Sequence, residues 1–171
     1  AELLFSVWQP ERGYRFLHFA STILRIVLQL EEASAYAEAL FALFENFFVH
    51  LHSRQNIEWP LIWIFLRRLF EEVGHPLDFR QCAECGQPLN GDVRLFEQGA
   101  LCQNCALPHG YGYLLNSWEL TALQKVTLPF SHLETSTFNR QETNFLGRFF
   151  EEQFQTIFQH RIQLEKFRLK D

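Results

Sequence analysis

The chain of 171 residues contains no methionine, and it has no apolar run long enough to cross a bilayer. Even YRFLHFASTILRIVLQL is interrupted by Arg15 and Arg25, whereas a spanning helix needs about twenty predominantly apolar residues. The basic, apolar and small-residue segments of a secretory signal are missing from the N-terminus. None of the stretches GxGxxG, GxxxxGK[ST], HExxH or GxSxG occurs, so the usual sequence marks of nucleotide, metalloprotease and serine-hydrolase chemistry are lacking. Excess positive charge is lacking too. The formal net charge is −5, which argues against a strong autonomous DNA binder, because that affinity depends on cations displacing counterions from phosphate. With Ala1 at the start and no initiator, the chain reads as a fragment of a longer protein or a processed product.

Aromatic side chains are abundant. There are 19 phenylalanines, and 47% of residues are hydrophobic against 20% charged, the balance of a folded domain with a ring-rich core. From Tyr14 to Leu30 the residues Phe16, Phe19, Ile23, Ile26, Val27 and Leu30 recur at helical spacing. Ser34 to His52 repeats the pattern through Tyr36, Leu40, Phe41, Phe44, Phe47, Phe48 and Leu51, leaving Glu38 and Glu45 outside the stripe. Pro60 suits a first helical turn, and Gly74 followed by Pro76 ends the helix it opens. Asn116 and Glu119 form a capping-box pattern before LTALQKV, and a last helix is predicted from Arg140 to Leu164. The fold class that follows is mainly α, a helical bundle interrupted by a cysteine-bearing insert. Its parts are residues 1–13 as linker or remnant of a preceding domain, 14–78 and 113–171 as the two parts of the bundle, and 79–112 as the insert.

All four cysteines lie in that insert, in CAECGQPLNGDVRLFEQGALCQNC. Cys82 and Cys85 form one CxxC pair, Cys102 and Cys105 another, with sixteen residues between them. Two residues between cysteines let one tight turn aim both sulfurs at one point, and two such knuckles joined by a hairpin supply the tetrahedral thiolates that Zn²⁺ accepts. Two disulfides would require an oxidising compartment. A thioredoxin-like redox site uses one pair in a βαβ setting, and iron–sulfur clusters commonly use other spacings. The predicted site is a zinc ribbon of Cys82, Cys85, Cys102 and Cys105. Four protein ligands leave no open position, so the ion is expected to be structural, supplying folding energy to a segment with few apolar residues.

The remaining polar residues read as structural. His50 and His52 do not share a helix face, and His75 and His109 stand at loop edges with no nucleophile or carboxylate constellation beside them. The closing stretch RIQLEKFRLKD carries Arg161, Lys166, Arg168 and Lys170, which serve either as a solvated helix end or as phosphate contacts.

The junction HPLDFRQCAECG, the second knuckle GALCQNC and the long closing helix running into HRIQLEKFRL together resemble the C-terminal region of the RecO family of bacterial recombinational repair mediators. The resemblance runs from about Leu17 onward. It implies a preceding OB-fold, no catalytic turnover, zinc on the four cysteines, and a cytoplasmic, nucleoid-associated protein. It further implies binding of single- and double-stranded DNA, mainly through the missing N-terminal domain, with Arg161, Lys166, Arg168 and Lys170 as the contacts available here. Implied partners are RecR and the C-terminal tail of single-stranded-DNA-binding protein, with RecA loaded indirectly and strand annealing promoted. QLEKF departs from the family pattern by placing Glu165 where a cation is expected. The rival reading is a free-standing zinc-ribbon module for protein interaction or regulation.

Overall fold

A computed structural model describes residues 13–28, 30, 33–52, 60–97, 99–129 and 138–159. Three helices come first: α1 (Gly13–Leu28), α2 (Ala37–His52), preceded by a 3-10 turn at Ala33–Tyr36, and α3 (Pro60–Glu72). A small module follows with β1 (Val93–Phe96), β2 (Gly99–Cys102), the one-turn helix α4 (Gln103–Ala106) and β3 (Tyr113–Leu115). The chain returns to helix in α5 (Ser117–Val126) and α6 (Arg140–Phe158). Among the described residues the architecture is mostly helical with one small sheet. No helix among the described residues is long and apolar enough to cross a membrane.

The helices are joined by rings. Phe19 of α1 stacks on Phe47 of α2 at 5.8 Å, Phe47 meets Phe65 of α3 edge-on at 5.0 Å, and Trp63 of α3 lies parallel to Phe150 of α6 at 5.9 Å. Phe70 continues the series against Phe150 and Phe158. Each such pair contributes about 0.5–1.5 kcal/mol beyond the area it buries. Phe41 departs from the expected stripe: it is 61% exposed, because it lies about 100° around α2 from buried Leu40, at the margin of the arc that Leu43, Phe47 and Phe48 fill.

Helix ends follow local chemistry. Gly74 takes φ +86, which lets the His75 N–H reach the Phe70 carbonyl at 2.7 Å and close α3 in a Schellman turn. Asn116 and Glu119 form a reciprocal capping box at the start of α5, as the sequence indicated, and Asn139 and Glu142 form a second at α6. Helix α6 stops at Phe158, short of Leu164, with Gln159 in the left-handed region at φ 56. Residues 160–171, which include Arg161, Lys166, Arg168 and Lys170, lie outside the described residues, as do residues 1–12.

The sheet has the order β2-β1-β3 and is antiparallel throughout, with Val93 opposite both Cys102 and Leu115, and Leu95 opposite both Ala100 and Tyr113. Side chains alternate across a pleat, so these six residues share one face. Val93, Ala100 and Leu115 on that face are buried and join the same apolar cluster as Leu120 and Leu123 of α5 and Phe145 and Phe149 of α6. The cysteine-bearing module thus shares its core with the helices.

Candidate metal centre

The first knuckle is a narrow loop tied at its base. Leu89 N–H donates to the Arg80 carbonyl at 2.8 Å, Cys82 N–H to Gln87 O at 2.8 Å, and Gly86 N–H back to Cys82 O at 2.9 Å. Gly86 sits at φ +70, a conformation that a β-carbon disfavours, and this turns the chain sharply enough to bring Cys85 back beside Cys82. The second knuckle starts where β2 ends: Cys102 is the N-cap of α4, and Cys105 lies within that single turn. The Ala83 N–H bonds to the Ala100 carbonyl at 3.0 Å, locking one knuckle across the other.

This arrangement brings all four predicted ligands together. The Sγ atoms of Cys82, Cys85, Cys102 and Cys105 lie within 4.8 Å of one another, and Cys85 and Cys102 are 3.9 Å apart. Sulfurs bound about 2.3 Å from one ion at tetrahedral angles stand about 3.8 Å apart, so the donor set fits a tetrathiolate centre. Cys82 is buried, Cys102 and Cys105 are half-buried, and Cys85 is exposed.

The electrostatics favour a thiolate at the buried corner. Burial pushes the Cys82 thiol up, but N–H groups of Cys85, Cys102 and Glu84 converge on it and bring its pKa down to about 6. The Cys102 N–H is 3.4 Å from the Cys82 sulfur. Hydrogen bonding to Cys85 and Cys102 pushes the Cys105 thiol up instead. A cation placed among the four supplies the positive charge that lets all of them ionise.

His109 is not one of the cluster. Its Nε2 meets the Glu84 carboxylate, and its ring lies 5.6 Å from that of Phe96, so it links the end of the second knuckle to the turn of the first. His75 packs edge-on against Phe158. Sequence reasoning missed a tie between the first knuckle and the bundle: Gln124 of α5 donates through Nε2 to the carbonyls of Phe79 and Leu89 at 3.1 and 3.3 Å. Its only sequence signal is a polar residue near the end of a short apolar helix.

Helices before and after a small module whose knuckles bring four thiols together define a helical domain with an inserted four-cysteine module fit to hold a metal ion. The family described as Recombination protein O C terminal matches residues 14–158, and the chain belongs to that family. Membership assigns it a role in DNA recombination and repair, in a family of mediators that are generally non-catalytic and interact with DNA and protein partners. No match was found among curated proteins or among solved structures.

Proposed function

We propose that the chain is the zinc-stabilised scaffold and partner-docking part of a non-catalytic recombination mediator. The observation that carries the reading is the gathering of four sulfurs within 4.8 Å of one another in the middle of the stretch that the family matches. The ion is Zn²⁺. Four thiolates occupy every position of its tetrahedron, so it activates no water and serves to hold the glycine-rich knuckles together. Residues 79–112 are the ribbon insert, 14–78 and 113–171 the two parts of the bundle, and 1–13 a linker or the remnant of an OB-fold.

In this reading the protein works in the bacterial cytoplasm at the nucleoid. It binds RecR and the C-terminal tail of single-stranded-DNA-binding protein, promotes annealing and assists RecA loading. DNA is held mainly by the preceding domain, with Arg161, Lys166, Arg168 and Lys170 adding phosphate contacts. Support for a helical scaffold over a free-standing ribbon comes from the family match, which extends through helices on both sides of the insert.

Two measurements test it. Elemental analysis of natively purified protein should give stoichiometric zinc, and fluorescence anisotropy should detect binding of the acidic, apolar tail peptide. Substoichiometric metal overturns the zinc assignment, and absence of peptide binding at high micromolar concentration overturns the docking role.

A further inference from the structure

A cleft of about 290 Å³ opens between the sheet of the cysteine module and helix α6. One wall is Leu95, Tyr113 and Leu115 of the sheet, and the facing wall is Phe145, Arg148 and Phe149 of α6. Two separate paths connect it to the sulfurs. Through the second knuckle, Cys102 pairs with Val93 and Val93 with Leu115, so a metal ligand and a cleft wall stand in one cross-strand row. Through the first knuckle, the loop containing Cys82 and Cys85 begins at Phe79, whose ring packs edge-on against Phe149 at 5.6 Å. Gln124 of α5 holds Phe79 and Leu89 at the base of that loop.

We infer that metal occupancy is read out at this cleft: with the ion bound, the sheet stands against α6 and the cleft is formed; without it, the sheet wall loosens and α6 loses its cover. The physical reason is that strands of only three and four residues make few ladder hydrogen bonds, so the position of the sheet wall against α6 depends on the loops at its ends, and those loops are closed by the ion. Helices α1 and α2 lie outside this dependence, since the ring of Phe47 packs on Phe19, Phe48 and Phe65, all of them on the first three helices. Coupling between two sites is reciprocal, so damage to the cleft weakens metal binding as well.

The inference rests on the four sulfurs holding zinc, and zinc content is measured first so that failure of that reading is distinguished from failure of this one. Hydrogen exchange is then followed by mass spectrometry on the full chain with zinc bound and after chelation. Amides of residues 145–152 are expected to exchange about tenfold faster without zinc, alongside those of 79–115, while amides of 37–50 are unchanged. In the reciprocal arm, Phe149→Leu is expected to weaken zinc binding severalfold in chelator competition, and Phe47→Leu, also buried, to leave it unchanged. Exchange that rises only within 79–115, or equal zinc affinity for the two variants, overturns the coupling.

Discussion

Gln124 clasps both arms of the first knuckle: one side-chain amide nitrogen on helix α5 serves the carbonyl oxygens of Phe79 and Leu89, ten residues apart in sequence. Both residues are buried, so neither carbonyl has ready access to water. Gln124→Leu keeps the volume and removes the donor, and unpaired buried acceptors cost about 1–3 kcal/mol. A urea midpoint lowered accordingly in the zinc-loaded protein is expected, with Gln124→Glu worse because it aims an anion at two oxygens. A midpoint within error of the parent would mean that the clasp contributes nothing.

The two capping boxes give an independent measure of the second part of the bundle. Asn116 accepts from Glu119 N–H at 3.0 Å, and Asn139 from Glu142 N–H at 2.9 Å. Asn116→Ala and Asn139→Ala should each cost about 1 kcal/mol. Their effects should add in the double variant, since the caps serve different helices and share no partner. Each glutamate has one further partner, a cation for Glu142 (Lys125 Nζ, 2.7 Å) and a neutral hydroxyl for Glu119 (Tyr113, 2.8 Å), so Glu142→Gln, which discharges an ion pair, is expected to destabilise more than Glu119→Gln in the same melts.

The helices and the sulfur cluster were legible because both are periodic signals. Ile23, Phe47 and Phe150 announce themselves by three- and four-residue recurrence, and two CxxC pairs carry their geometry in their spacing. The capping box at Asn116 was read from the same pattern that Asn139 and Glu142 repeat unread in NRQE. Strand β3 was not legible: Tyr113–Leu115 is three residues long, and it becomes a strand only because β1 lies beside it. The Gln124 clasp was hidden for a related reason, its partners being backbone oxygens 45 and 35 residues away.

Glycines of the insert should differ sharply in their tolerance of a methyl group. A β-carbon on Gly112 would stand 2.7 Å from the Phe96 ring and 2.8 Å from the Leu95 carbonyl oxygen, which is held in the sheet. At Gly91, with φ +71, nothing lies within 4 Å, and the cost is backbone strain alone, about 1 kcal/mol. Gly112→Ala is therefore expected to lower the thermal midpoint of the zinc-loaded protein well beyond Gly91→Ala. The reverse order would show that β1 and β3 do not approach as described.

On the proposed zinc assignment, removing one of the four sulfurs should separate the cysteine module from the rest of the helical structure. Cys82 lies at the buried corner of the cluster, and Cys82→Ser replaces the sulfur on which three backbone N–H groups converge. Far-ultraviolet circular dichroism is expected to keep most of its helical signal, since the ring contacts joining α1, α2 and α3 do not involve the insert, while zinc binding is lost. Chelation of the parent protein should lower its thermal midpoint. Melts indifferent to chelator would contradict a folding role for the ion.

Tyr113 supplies a pH-dependent signal at the cleft. Its hydroxyl donates to Glu119 Oε1 at 2.8 Å, and that hydrogen bond, then burial and the nearby Glu119 charge, hold its pKa above the ordinary 10.0, with Arg148 opposing. Because the folded value is raised, the stabilisation is complete below about pH 10 and disappears as pH rises through the folded value. The ring is more than half exposed, so the effect on global stability is small and the titration itself is the better readout. Subtracting the phenolate absorbance curve of Tyr113→Phe from that of the parent isolates this hydroxyl among the four tyrosines. Its midpoint should lie above 10.0 and fall when Glu119 is changed to Gln, which removes the negative charge that opposes ionisation. A difference curve centred at or below the ordinary value would show that the Tyr113 hydroxyl does not donate to Glu119 in solution.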